Sequence, residues 1–135
     1  MNTPEISTDK SRLNIDFIFS FLSTSYWASE RSLEQVKSSI DNSLCFGLYQ
    51  GTAQIGFARI ITDQVVCSYL MDVFIDPKHQ NKSYGKFLME EIYKHPTLRN
   101  VKTHYLITKD AQNFYKNFGF NTYPTPDRFM LRINF

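Results

Sequence analysis

Between residues 65 and 95 the hydrophobic period of the chain changes once, from two to about 3.6, and that change limits the folds open to it. Along VVCSYLMDVFI (65–75) the odd positions Val65, Cys67, Tyr69, Met71, Val73 and Ile75 are apolar or aromatic, while the even ones include Ser68 and Asp72. This is strand alternation, with one face expected in a core and the other carrying a carboxylate. Asp76-Pro77 ends the strand, and Tyr84, Phe87, Leu88 and Ile92 then step by three and four, as on an amphipathic helix that His95-Pro96 stops. KTHYLI (102–107) is a further strand. Strand, helix and strand in this order call for parallel pairing through a helical crossover, and so for an α/β (or α+β) domain with a helix-covered sheet.

The remaining segments fit the same architecture. NIDFIFSFLST (14–24) and SLEQVKSSIDN (32–42) read as two short helices, the first with Phe17, Phe19 and Phe21 mostly in core and the second with Ser29 or Ser32 as its cap. Residues 43–49 and 53–61, joined at Gln50-Gly51, read as a hairpin. A short helix over 110–118 ends at Gly119, which fits a left-handed C-cap, and RFMLRINF (128–135) reads as a closing strand. The expectation is a mixed central sheet flanked by about four helices. No linker or internal repeat interrupts the chain, so residues 1–135 are read as one domain.

A chain of 135 residues with 42% hydrophobic content can build a core without metal or disulfide staples. Its net charge of +2 comes from scattered basic residues, which argues against a nucleic-acid partner, and no stripe of aromatics between basic strands suggests RNA binding. Cys45 and Cys67 both lie in apolar, strand-like runs and read as small core residues. The polar first ten residues carry no apolar targeting segment, and no stretch is long and apolar enough for a membrane span, so a cytosolic protein without a membrane partner is expected.

Chemistry concentrates in FIDPKHQNKSYGKFLMEEI (74–92), where a strand ends at a proline and a polar loop leads into a helix. The unpaired N–H groups of such a helix start carry partial positive charge and suit a pyrophosphate. Lys82 and Lys86 add full charges, and Gly85 lets the backbone approach a ligand closely.

Gln80-Asn81-Lys82-Ser83-Tyr84-Gly85 resembles the Q/R-x-x-G-x-G/A loop with which the GNAT family of N-acetyltransferases holds the pyrophosphate of coenzyme A. Ser83 replaces the first signature glycine, and Asn81 stands where many members carry another. About 30 residues on, Asp110 to Phe120 (DAQNFYKNFGF) resembles the family's A-x-x-F-Y-x-x-x-G-F helix. The run SYWASERSLEQVKSSIDNSLCFGLY is similar to a bacterial branch of small single-domain members whose acceptors are generally unassigned.

The resemblance implies a transferase that passes an acetyl group from acetyl-CoA, without a metal, to a primary amine of a small molecule or protein, by direct attack in a ternary complex. It implies backbone contacts from Val73, Phe74 and Ile75 to the pantetheine, a hydrogen bond to it from Asn113, and a pyrophosphate site over Gln80 to Lys86. Tyr115 matches the tyrosine that protonates the departing thiolate, and Thr108 stands where the family has an asparagine. Asp72, on the polar-bearing face of the presenting strand, is the first candidate base, with His104 or a water as alternatives. Tyr26 and Trp27, beside Glu30 and Arg31, fall where the family builds its acceptor pocket, and an aromatic wall with an acid would suit an amine. The competing function is a catalytically weak or inactive acyl-CoA-binding or protein-interaction module. The chain is read as a monomer, or as a homodimer through the last strand.

Overall fold

Strands Glu5–Ser7 (β1), Leu44–Gln50 (β2), Ala53–Thr62 (β3), Cys67–Ile75 (β4) and Thr103–Leu106 (β5) lie side by side in chain order in one sheet. The computed structural model describes residues 3–134. Pairing is antiparallel from β1 to β4 and parallel between β4 and β5, where the helix Tyr84–Lys94 (α3) forms the crossover. Helices Ile15–Thr24 (α1) and Leu33–Asp41 (α2) precede β2, and Gln112–Lys116 (α4) follows β5. This is the mixed, helix-flanked sheet that the periodicities require.

Alternating strand residues feed two cores, one on each face of the sheet. Cys45, Phe57 and Phe74 pack with Ile18, Leu22, Val36 and Ile40 of α1 and α2, whereas Phe46, Ala58, Ile60 and Leu70 pack with Leu88, Met89 and Ile92 of α3. Each fully buried side chain of this size is worth roughly 1.5–3 kcal/mol, so both faces hold the sheet in place. The helix starts are secured locally. Asn14 Oδ1 accepts from Phe17 N at 3.0 Å, and Ser32, rather than Ser29, caps α2 in a capping box with Gln35.

Three expectations are corrected, and one element, β1, is added. Burial of both faces of β4 replaces the single core face, and a bulge changes its parity: Arg59 pairs with Met71 and Phe57 with Phe74, so Asp72 and Val73 together oppose Ala58. Cys67 is exposed at the start of β4, while Cys45 is buried. Glu5–Ser7, within the polar first ten residues, forms edge strand β1 because it finds a partner in β2. The strand expected at 128–135 is absent through residue 134, and Phe135 lies outside the described residues. Pro124 and Pro126 lead into a turn at Pro126–Arg128, and the residues after it meet no ladder, leaving Met130 95% and Leu131 80% exposed.

Candidate active site

β4 and β5 pair only over Cys67–Leu70 and Thr103–Leu106. Beyond Leu70 the strands part, and β4 runs on to Ile75 with β3 alone as neighbour. The parallel sheet therefore opens on the side of Val73, Phe74 and Ile75, whose backbone groups toward β5 have no strand to pair with. A cleft of about 400 Å³ occupies this region, reaching from the turn between α1 and α2 to the start of α4. Tyr26, Trp27, Arg31, Asp72, Lys109 and Tyr115 stand around it.

The turn at 25–31 is held rigidly. Ser25 Oγ donates to Leu22 O at 2.7 Å and accepts from Ala28 N at 3.1 Å, and Arg31 N donates to Ala28 O at 3.1 Å. Trp27 and Arg31 are thereby aimed at the floor of the cleft, where Asp72 lies.

Asp72 is a buried anchor. Its Oδ1 accepts from Trp27 Nε1 at 3.0 Å, both oxygens accept from Arg31 Nη1 at 2.9 and 2.8 Å, and Oδ2 accepts from Arg59 Nε at 2.8 Å. Arg59 is itself buried, and it also donates through Nη1 to Ser43 Oγ at 3.0 Å. Burial alone would raise the Asp72 pKa, but the hydrogen bonds and charges of Arg59 and Arg31 outweigh it and hold the carboxyl below its usual range. The residue sits at φ 58, in the left-handed region that costs a non-glycine residue strain, and its hydrogen bonds maintain that conformation. These properties do not suit the expected proton acceptor, because a base needs an unoccupied oxygen and a raised pKa.

His104, unlike Asp72, does not line the cleft. Its Nδ1 meets Ser68 Oγ at 2.5 Å and its ring lies 4.8 Å from that of Tyr93, on the α3 side of the sheet. Burial lowers its pKa, so the ring is neutral at pH 7. Glu30, expected as the acid beside the aromatics, is exposed and outside the cleft lining, whereas Arg31 is in it.

Tyr115 faces the cleft from α4, and burial pushes its pKa up to about 12. Asn113 lies on the exposed side of the same helix. Thr108 Oγ1 accepts from Ala111 N at 3.1 Å and ties the end of β5 to α4.

The loop leading to α3 adopts an unusual path. Asn81 and Ser83 both lie at φ 63, in the left-handed region that favours glycine. Ser83 makes no capping bond, which leaves the first N–H groups of α3 directed out of the helix without a side-chain partner. Gln80 Nε2 donates to Ile75 O at 3.1 Å, and the Tyr84 hydroxyl accepts from Gln50 Nε2 at 2.9 Å. Lys82 and Lys86 are exposed beside this opening, the latter 3.9 Å from Glu90. A Cβ on Gly85 would stand 3.4 Å from the Phe114 ring, ordinary contact, so packing within the protein does not require the glycine.

Arg59, the inner half of the ion cluster, was missed as a site residue. Its signal lies in AQIGFARII, where one charged residue stands within a largely apolar strand and so demands a buried partner. Among the described residues, no group of three or more His, Cys, Asp or Glu side chains is placed to hold a metal, and no helix is long and apolar enough to cross a membrane.

Comparison with known proteins identifies the family and the fold. The sequence profile of the acetyltransferase (GNAT) domain matches residues 41–122. A Gibberella zeae protein named as an acetyltransferase is 32% identical across 87% of this chain and 79% of its own length. A GNAT-family crystal structure from Xanthomonas campestris pv. campestris superposes with a TM-score of 0.94 at 38% identity, covering 98% of this chain and 94% of that one. A Clostridium acetobutylicum protein solved with acetyl-CoA, only 12% identical, shares the fold with a TM-score of 0.68 over 99% of this chain and 96% of its own.

Proposed function

Because the chain belongs to the GNAT family of acetyltransferases, we propose that it transfers the acetyl group of acetyl-CoA to the amine of an acceptor bound in the cleft. The observation that carries this reading is the end of β4–β5 pairing at Leu70 and Leu106. The stretch Val73 to Ile75, paired with β3 but without a strand on its β5 side, then leads to a left-handed loop and a bare helix start. An extended pantetheine suits the first feature and a pyrophosphate the second.

In this assignment Gln80 to Gly85, with Lys82 and Lys86, receive the pyrophosphate, and Asn113 adds a polar contact to the pantetheine. Tyr26 and Trp27 wall the acceptor. The amine lone pair attacks the thioester carbonyl carbon, a C–N bond forms, and the C–S bond breaks. Tyr115 gives its hydroxyl proton to the thiolate and recovers one from solvent, while the amine releases its proton through the open mouth of the cleft. With a pKa of about 12 Tyr115 is fully protonated at working pH, and the uphill transfer relies on positioning. Asp72 is a positioning residue, holding Trp27 and Arg31 in place. No side chain is assigned as base, since neighbouring cations favour the neutral form of a bound amine and so reduce the need for one.

Thermal unfolding with acetyl-CoA, CoA and ATP as parallel ligands tests the reading. A ligand at about 100 times its Kd stabilises by roughly 2.7 kcal/mol, several degrees for a chain of this length. A rise with both CoA species and none with ATP is expected, and no rise with CoA would overturn it. Binding without thiol release for any amine would leave an acyl-CoA-binding module instead.

A further inference from the structure

Arg31 meets Asp72 with one nitrogen only. Nη1 bonds both carboxylate oxygens, whereas Nε and Nη2 have no partner among the described residues. The side chain is 23% exposed and lines the cleft, and these unused N–H groups are the donors it has left to offer a ligand. Asp72 on its other side is already matched by buried Arg59, at 2.8 Å. Arg31 and buried Arg59 share the single negative charge of Asp72, so this ion cluster keeps one surplus positive charge, while Lys109 and Asp110 balance each other in the cleft lining.

From this we infer that the cleft selects acceptors carrying a carboxylate, that is, small amines of the amino-acid class, and binds that carboxylate on the unoccupied edge of Arg31. The identity of the reacting amine rests on the transfer reading above, but the anion site itself does not. A guanidinium edge offers two parallel donors that match the two oxygens of a carboxylate. Arg31 is preorganised for it, fixed at one end by the Arg31 N to Ala28 O bond and at the other by Asp72. A simple alkylammonium offers nothing to the surplus positive charge of the Arg31–Asp72–Arg59 cluster, while an amino acid brings a compensating negative one. Tyr26, Trp27, Leu106 and Ile107 leave apolar wall for its side chain.

The test compares N-acetyl-L-phenylalanine with its neutral carboxamide by thermal unfolding, each with and without saturating CoA. The pair differs only in the anionic group, and neither compound has a titrating amine. The acid is expected to raise the midpoint at concentrations about tenfold or more below those the amide needs, and Arg31→Gln to abolish that difference. Equal action of acid and amide on the wild-type protein would overturn the inference whether or not the variant folds, as would an Arg31→Gln protein that keeps the preference. A carboxylate-dependent rise without any CoA effect would retain the anion site and defeat the transfer reading. A CoA effect with no carboxylate preference would do the reverse.

Discussion

Arg59 on β3 and Asp72 on β4 meet at 2.8 Å through Nε and Oδ2, although the strand register places Met71, not Asp72, opposite Arg59. The bulge at Asp72 and Val73 is what brings the carboxylate onto the face where Arg59 is buried. The same bulge lies within the segment of β4 that β5 leaves unpaired. The ion cluster and the cleft thus share one backbone irregularity.

Asp72→Asn removes the charge that balances two arginines, one of them buried. Breaking such a pair from one side costs about 3–5 kcal/mol, a large part of a domain's stability. Urea unfolding should show a matching fall in midpoint with an unchanged slope. A loss well below 1 kcal/mol would mean that the cluster is not formed in solution.

The folded-state pKa of Asp72 is lowered, so between that value and the unfolded value near 3.9 the unfolded chain binds more protons. Its contribution is present above about pH 4 and is lost as pH falls through the folded value. His104, lowered by burial, acts with the same sign below roughly pH 6.5, where the unfolded chain takes up a proton that the folded chain resists. Stability measured against pH should decline in both windows on acidification, and Asp72→Asn should flatten only the lower one.

Tyr115→Phe should leave the CoA-induced midpoint shift intact and slow thiol release by about 10²-fold or more, the usual worth of a positioned general acid. Because the hydroxyl titrates only at about 12, the wild-type rate should show no downturn from Tyr115 in the ordinary alkaline range. Wild-type turnover by the Phe variant would remove Tyr115 from the mechanism.

Ser83 holds a left-handed backbone at φ 63 with no cap bond in return. Ser83→Gly should relieve the strain and stabilise the protein by about 0.5–1 kcal/mol after the added flexibility of the unfolded chain is counted. Differential scanning calorimetry reads this as a midpoint rise of about 2–4 °C, and a fall would show that the Ser83 side chain supports the loop.

Gly85→Ala is the contrasting case, since the added methyl meets the Phe114 ring only at ordinary contact distance. The variant should fold with near-unchanged stability and bind CoA more weakly in a titration. Unchanged CoA affinity would mean that the backbone at Gly85 is not approached by the ligand.

The amino-acid sequence by itself determined the helices at Ile15–Thr24, Leu33–Asp41 and Tyr84–Lys94, the hairpin, the parallel crossover, and the polar loop at a helix start. Each depends on hydrophobic period or on a proline or glycine, and these act within a few residues. The Gly119 cap was legible for the same reason, and its φ is 91. The tertiary structure alone decided the role of Asp72. Strict alternation places it on one face, and only pairing with β3 created the bulge that turned it toward Arg59 and Arg31. It likewise turned the expected acid of the acceptor pocket into a cation, decided that Glu5–Ser7 would pair with β2, and left the strand-like residues 129–134 without a ladder. Period and turn chemistry are local energies, whereas ladder partners and buried charge pairs depend on residues far apart in the chain that meet only when the sheet has formed.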